Sequence, residues 1–300
     1  MLLDVKNLRI AFRRDGRDIT PVRNVNFSVP EHGRVALVGE SGCGKSLTAL
    51  SLAGLSPTDR ATVSGSISFS GRIAYVFQNP AESLNPVMRI RDQIRESLPQ
   101  DMLRRERDAR IVELLARTGL PDPERAARAY PCELSGGQQQ RCMIAMALAA
   151  SPDLLVADEP TTALDVTTQK QVLELIDSLA AETGMAVLLI THNLGLVAGR
   201  MDLVNVMYAG QIVESGPVVE VLSAPRHPYT KGLLAAVPAL DAPRDAPLAD
   251  IPGTVPPPDR WPPGCAFAPR CRLAQDECRN AQPPVSLAGG RRWACFATAS

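Results

Sequence analysis

The sequence predicts an α/β fold built on a largely parallel sheet, with a small helical subdomain and an irregular carboxy-terminal extension. Three observations carry this. Short apolar runs alternate with helical stretches between residues 137 and 207, and strands separated by helices pair in parallel through crossover connections. Residues 89–129 break that rhythm with helical spacing rich in Arg, Glu, Ala and Leu. After Pro238 the chain is crowded with prolines and poor in aliphatic residues, so it cannot build a core of its own.

Each element follows in order. Residues 2–29 read as two or three strands with a turn at Arg14-Asp15-Gly16-Arg17. Val35-Ala36-Leu37-Val38, closed by Gly39, suits a buried strand. A glycine-rich loop follows, then a helix over 47–55 and short strands at 66–69 and 73–77. The helical subdomain at 89–129 breaks at Pro99 and Pro121. Beyond it come helix 137–150, strand 153–157, helix 167–182, strand 186–190, helix 194–199 and strand 203–207. The tail is expected to be irregular unless something staples it.

Composition narrows the function classes. The 300 residues carry 32 Lys plus Arg and 32 Asp plus Glu, a formal net charge of zero. A nucleic-acid binder more often shows a basic excess, so no nucleic-acid partner is expected. No run of about 18 uninterrupted apolar residues occurs. The start, Met1-Leu2-Leu3-Asp4-Val5-Lys6, lacks the basic and apolar regions of a secretory signal. The expectation is a soluble, cytoplasmic chain that reaches a membrane only by docking to other subunits.

Three motifs carry chemistry. Gly39-Glu40-Ser41-Gly42-Cys43-Gly44-Lys45-Ser46 fits the phosphate-loop pattern, between a strand and a helix as that pattern requires. Backbone N–H groups can wrap a β-phosphate. Lys45 can reach the β- and γ-phosphates of ATP, and the Ser46 hydroxyl can ligate Mg²⁺. Leu154-Leu155-Val156-Ala157-Asp158-Glu159 is an apolar strand ending in two acids that point differently. Asp158 can hold Mg²⁺ through a water, and Glu159 can polarise the attacking water. Leu134-Ser135-Gly136-Gly137-Gln138 places a helix cap and two small residues where a helix N-terminus can meet an anion.

Taken with Ala163-Leu164-Asp165 and His192, these motifs in this order resemble an ABC-transporter ATPase over residues 2–237. The resemblance implies a RecA-like parallel core, an antiparallel β-subdomain and a helical subdomain at about 89–150. It divides the chain into an ATPase domain at 1–237 and an extension at 238–300. It also implies a head-to-tail dimer, in which Ser135, Gly136, Gly137 and Gln138 complete the partner's ATP site. ATP would lie on Gly39, Ser41, Gly42, Cys43, Gly44, Lys45, Ser46 and Leu47. Gln78 matches a glutamine that senses Mg²⁺ and the membrane subunits, or is a surface residue. Asp165 matches a position lying across the dimer, and can also cap the following helix. His192 matches the switch histidine of the γ-phosphate, or makes a local hydrogen bond. Phe12 either stacks on adenine or packs in the core.

Further stretches narrow the likeness. Gln78-Asn79-Pro80-Ala81-Glu82-Ser83-Leu84-Asn85-Pro86, Glu159-Pro160-Thr161-Thr162-Ala163-Leu164-Asp165-Val166 and the run from His227 to Pro238 resemble the dipeptide, oligopeptide and nickel importers. This resemblance implies ATP-driven peptide import at the cytoplasmic face of the inner membrane. The partners would be a second ATPase subunit (a paralogue), two transmembrane permeases and, indirectly, a solute-binding protein. Nickel or glutathione import, or a soluble non-transport ABC ATPase, stand as alternatives. Two departures from the family are Asn193, where an aspartate often follows the histidine, and a short segment between Gly71 and Tyr75 that would trim the β-subdomain.

Cys265, Cys271, Cys278 and Cys295 are separated by five, six and sixteen residues. Those spacings match neither zinc ribbons nor ferredoxins. Four thiols in a segment without a core suggest a staple. The family resemblance implies a [4Fe–4S] cluster, with zinc as the alternative and free thiols as the third reading.

Overall fold

The computed structural model describes residues 1–14, 16–55, 61–162, 164–237 and 250–298. Asp15, Ala163 and Pro238, all named above, lie outside the described residues. In chain order the strands are β1 (Leu3–Arg14), β2 (Arg17–Val29), β3 (Arg34–Val38), β4 (Ala61–Phe69), β5 (Ile73–Val76), β6 (Leu154–Asp158), β7 (Ala186–Thr191), β8 (Leu203–Tyr208), β9 (Gln211–Pro217), β10 (Val285–Ala288) and β11 (Arg291–Ala294). The helices are α1 (Lys45–Leu52), α2 (Pro80–Ser83), α3 (Ile90–Ser97), α4 (Arg104–Arg117), α5 (Pro123–Arg128), α6 (Gly136–Ala149), α7 (Val166–Thr183), α8 (Val218–Ser223), α9 (Pro228–Ala235) and α10 (Asp276–Asn280).

The chain divides into two compact units. The first comprises residues 1–30, 34–69 and 189–300. In it β1 lies between β2 and β4, antiparallel to both. Alternate residues Leu3, Val5, Val25, Phe27 and Val29 are buried, the period of two expected of a sheet with one covered face. A second sheet runs β10-β11-β9-β8-β3. Strands β3 and β8 are parallel, and the strands beyond β8 are antiparallel. Val35, Ala36, Leu37 and Val38 are fully buried, so β3 reads as a continuous apolar run. Each large side chain there contributes about 1.5–3 kcal/mol by leaving water.

The second unit comprises residues 31–33 and 70–188. Strand β5 pairs in parallel with β6, whose five residues are all buried. Helices α3, α4 and α5 pack on one another, α6 packs on α3 and α4, and Ile90, Ile94, Ile111, Leu114, Leu115 and Ile144 are buried on these helices. Pro99 and Pro121 fall in the connections between α3, α4 and α5, as a missing N–H and a ring clash require. Strand β7 contributes residues 186–188 to the second unit and 189–191 to the first.

Two expectations are corrected. The helix at 194–199 shrinks to a 3₁₀ turn at Leu194–Leu196. Gly199 takes φ 72°, which no regular right-handed helix accommodates. The tail is also not wholly irregular. It forms α10, β10 and β11, and β11 adds antiparallel to β9 through Arg292 opposite Ser215 and Trp293 opposite Glu214. Main-chain pairing to an existing strand supplies order that the tail's own apolar residues could not.

Candidate nucleotide site

In the first unit the glycine-rich loop joins β3 to α1. Gly39 donates its N–H to the Thr191 carbonyl (3.3 Å), and Gly210 donates to the Cys43 carbonyl (2.9 Å). A Cβ on Gly39 would overlap the Met207 carbonyl oxygen, so no other residue fits there. Gly44 caps α1 at φ 102°, a conformation open to glycine, with the Pro21 carbonyl 2.9 Å from where a Cβ would stand. Lys45 is buried, and its ammonium donates to the carbonyls of Gly39 (2.8 Å) and Glu40 (3.1 Å). Those bonds fold its chain back over the loop. Ser41, Gly42 and Ser46 are exposed, Leu47 is half-buried and Cys43 is fully buried. Burial pushes the Cys43 thiol up, keeping it neutral.

Two more expected residues lie in this unit. His192 is exposed directly after β7. The Asn193 side chain accepts the Gly195 N–H (2.9 Å), and its own N–H donates to the Thr191 hydroxyl (3.0 Å). Asparagine thus caps this turn as an aspartate would. Phe12 is half-buried on β1, opposite Ile19 of β2 and Ala61 of β4.

In the second unit, β6 ends at Asp158, which is buried and accepts the Tyr75 hydroxyl (2.7 Å). Burial, and then the adjacent carboxylate, push the Tyr75 phenol far up, so it stays a donor. Glu159 has φ 44°, a left-handed conformation uncommon for a side-chain-bearing residue. Its carboxylate accepts the Gln78 amide (3.1 Å) and the Thr162 hydroxyl (3.0 Å). Thr162 reaches it through the turn closed by its N–H to the Glu159 carbonyl (3.1 Å). Strained φ of this kind costs on the order of 1–3 kcal/mol and persists where surroundings fix it.

The glycine pair opens α6 as expected. Ser135 accepts the Gln138 N–H (3.3 Å), and the Gln138 side chain accepts the Ser135 N–H (3.0 Å), a reciprocal capping box. A Cβ on Gly137 would meet the Thr168 methyl at 2.8 Å, so a larger residue there would force Thr168 of α7 to shift. Gly136 has more room. Asp165 caps α7 by accepting the N–H groups of Thr167 and Thr168 (both 3.0 Å) and the Thr168 hydroxyl (2.7 Å). The bonds from Thr168 hold its carboxyl below the usual range.

The tail packs on the rest of its unit through protein contacts. All seven cysteines are free thiols, and among the described residues no group of three or more His, Cys, Asp or Glu is arranged to hold a metal ion. The expected [4Fe–4S] cluster, and zinc as its alternative, therefore find no ligand set at Cys265, Cys271, Cys278 and Cys295. Burial pushes the thiols of Cys265 and Cys271 up, with the neighbouring thiols adding to it. The sulfurs of Cys271 and Cys278 accept backbone N–H groups from Leu273 (3.3 Å) and Gln275 (3.5 Å).

Two buried arginines tie the tail to the rest of its unit. Arg291 pairs with the fully buried Glu214 (2.8 Å), which also accepts the N–H groups of Arg226 (2.8 Å) and His227 (2.9 Å). Arg270 pairs with Glu40. Between them Phe267 packs on Tyr208, Tyr229 and His227, with ring centroids 5.2, 5.4 and 5.8 Å apart. Sequence reasoning missed Tyr75, Thr162 and Arg270. Thr162 follows Glu159 by three residues, so a local turn reading could have found it, whereas Tyr75 meets Asp158 across 83 residues.

Comparison with known proteins agrees with this geometry. Residues 22–162 match the family model for the ABC transporter, and residues 213–278 match the one for the oligopeptide/dipeptide transporter C-terminal region. A dimeric ATP-binding cassette solved in a post-hydrolysis state with ADP and Pi superposes with a TM-score of 0.64 at 28% identity, covering 72% of this chain and 98% of that one. The cbiO1 protein of Clostridium perfringens, part of the transporter complex cbiONQ, gives 0.63 at 25% identity, covering 74% and 91%. The chain belongs to the ABC transporter family, as an ATP-hydrolysing subunit. Within it, the chain groups with the oligopeptide/dipeptide importer ATPases. A peptide import ATP-binding protein of Brucella abortus (strain 2308) is 48% identical over 98% of this chain and 94% of its own. One of Brucella ovis is 49% identical over 95% and 93%.

Proposed function

We propose that this chain binds and hydrolyses MgATP to power a peptide importer. The observation that carries the reading is Glu159, held in a left-handed conformation at the end of a buried strand with its carboxylate fixed by Gln78 and Thr162. A carboxylate so fixed can orient a water and accept its proton. Asp158 stays an acceptor beside it, with Tyr75 donating to one oxygen. Ser46, Asp158 and Gln78 supply a hydroxyl, a carboxylate and an amide oxygen, the hard donors that suit Mg²⁺. When bound, Mg²⁺ neutralises phosphate charge.

The other roles follow. Gly39, Ser41, Gly42, Cys43, Gly44, Lys45, Ser46 and Leu47 cradle the phosphates, Phe12 meets the adenine and His192 contacts the γ-phosphate. Ser135, Gly136, Gly137, Gln138 and Asp165 serve a second ATPase subunit across a dimer. Permease subunits span the membrane, with this chain at their cytoplasmic face; no helix among the described residues is long and apolar enough to cross a membrane. Peptide as cargo is supported by the relatives named for peptide import, which match along almost their whole length.

The test is reconstitution with the permeases, the second ATPase and the solute-binding protein in vesicles. ATP turnover should rise when the binding protein carries peptide. Stimulation by nickel or glutathione alone would move the chain to those cargoes, and turnover indifferent to any loaded binding protein would sink the import reading. No step passes through a metal at the four cysteines. Iron and sulfide in anaerobically prepared protein would overturn the placement of those thiols.

A further inference from the structure

Glu40 sits inside the phosphate loop, yet the loop pattern asks for no acid there. A free carboxylate beside a polyphosphate would weaken binding by like-charge repulsion. Here the charge is not free. Arg270, with its side chain only 6% exposed, forks onto Glu40: one guanidinium nitrogen lies 2.6 Å from Oε2, the other 3.1 Å from Oε1. Such planar, two-bond pairing is a geometry that arginine provides and lysine does not. The same guanidinium donates to the carbonyls of Pro252 (2.9 Å) and Ile251 (3.0 Å), so its position is fixed by the tail. The backbone of Glu40 is held independently, because its N–H donates to the Tyr229 hydroxyl (2.8 Å). Tyr229 is fully buried on α9, against Tyr208 and Phe267.

We infer that Arg270 is a positioning residue for the phosphate loop. From the carboxy-terminal extension it neutralises Glu40 and, with Tyr229, holds the loop backbone ready to receive ATP. The extension is then part of the nucleotide machinery of its own chain. This rests on residues 39–46 being the phosphate cradle.

The experiment uses the full-length chain and measures KM, kcat and the equilibrium affinity for MgATP and MgADP. Arg270→Ala should raise KM for ATP about tenfold, since an unpaired charge within the loop would repel the phosphates through an effective dielectric of roughly 20. The rise for ADP should be smaller, and kcat should stay within about twofold. Adding Glu40→Gln to Arg270→Ala should return KM to within about threefold of the parent, because the unpaired charge is gone. A role confined to folding the tail would not be rescued that way. Where Arg270→Ala gives no soluble protein, Arg270→Lys carries the test, with a smaller rise in KM that Glu40→Gln again relieves. An unchanged KM, or a raised one that Glu40→Gln does not relieve, overturns the inference. Lys45→Ala is the control: if it too leaves ATP affinity unchanged, the phosphate-cradle reading has failed as well.

Discussion

The phosphate loop and the acidic end of β6 are built by opposite means. The loop is fixed by backbone: Gly39 and Gly44 admit no Cβ, and Lys45 is tied to two loop carbonyls. The acidic end is fixed by side chains: Tyr75 on Asp158, and Gln78 with Thr162 on Glu159. A backbone cradle is sensitive to shape and to the few side chains that bond to it, Lys45, Tyr229 and, through Glu40, Arg270. A side-chain constellation can lose its chemistry through one functional group and keep its shape. The difference predicts that variants at the two places fail differently, the loop in binding and the acidic end in turnover.

The sharpest separation should come from Glu159→Gln, which keeps size and hydrogen bonding but cannot accept a proton. Turnover should fall about a thousandfold with ATP affinity retained. Turnover within a few-fold of the parent would remove Glu159 from the reaction. Ser135→Arg adds bulk at the start of α6 in the same unit as Glu159. It should leave ATP binding to the chain's own loop intact and cut turnover about a hundredfold by misplacing the partner's reacting groups. An isolated monomer hydrolysing ATP at the full rate would contradict the composite site. Lys45→Ala belongs to the loop, and titration should show ATP affinity falling about thirtyfold, in line with loss of charge-assisted bonds to phosphate. Unchanged affinity there would break the comparison from the other side.

The smallest effect concerns acid. His227 is buried and its side chain accepts the Tyr229 N–H (3.0 Å), and burial lowers its pKa from 6.5 to about 3. The folded state keeps it neutral while the unfolded chain takes up a proton below about pH 6.5. Its contribution is therefore full above that pH and lost progressively as pH falls toward 3. Between pH 7 and 5.5 the chain should lose about 1 kcal/mol that a His227→Gln chain keeps, read by denaturant melts at both pH values. Equal losses in the two proteins would show that His227 does not report this burial.

What the sequence reveals of this molecule depends on the range of the interaction. The loop, the strand before it and the breaks at Pro99 and Pro121 are local patterns. The reciprocal cap of Ser135 and Gln138 spans three residues, and both partners are visible in the motif. Arg270 and Glu40 are 230 residues apart, and nothing near either one announces the other. The same is true of Arg291 with Glu214, 77 residues apart. The left-handed Glu159 was also hidden, because an acid after a buried strand looks alike in any φ. The apolar spacing of 194–199 suggests a helix, but the turn ends at Leu196 and Gly199 takes a left-handed φ that the spacing does not announce.

The hairpin of β10 and β11 changes what the first unit shows to other chains. Without it, the seven-residue β9 would be the last strand of its sheet, with its outer N–H and C=O groups open to any extended peptide. With it, the margin is β10, four residues long. Short margins are poor templates for intermolecular pairing. The extension therefore acts as a built-in guard against self-association, and a chain shortened before residue 285 is expected to precipitate at concentrations where the full chain stays clear.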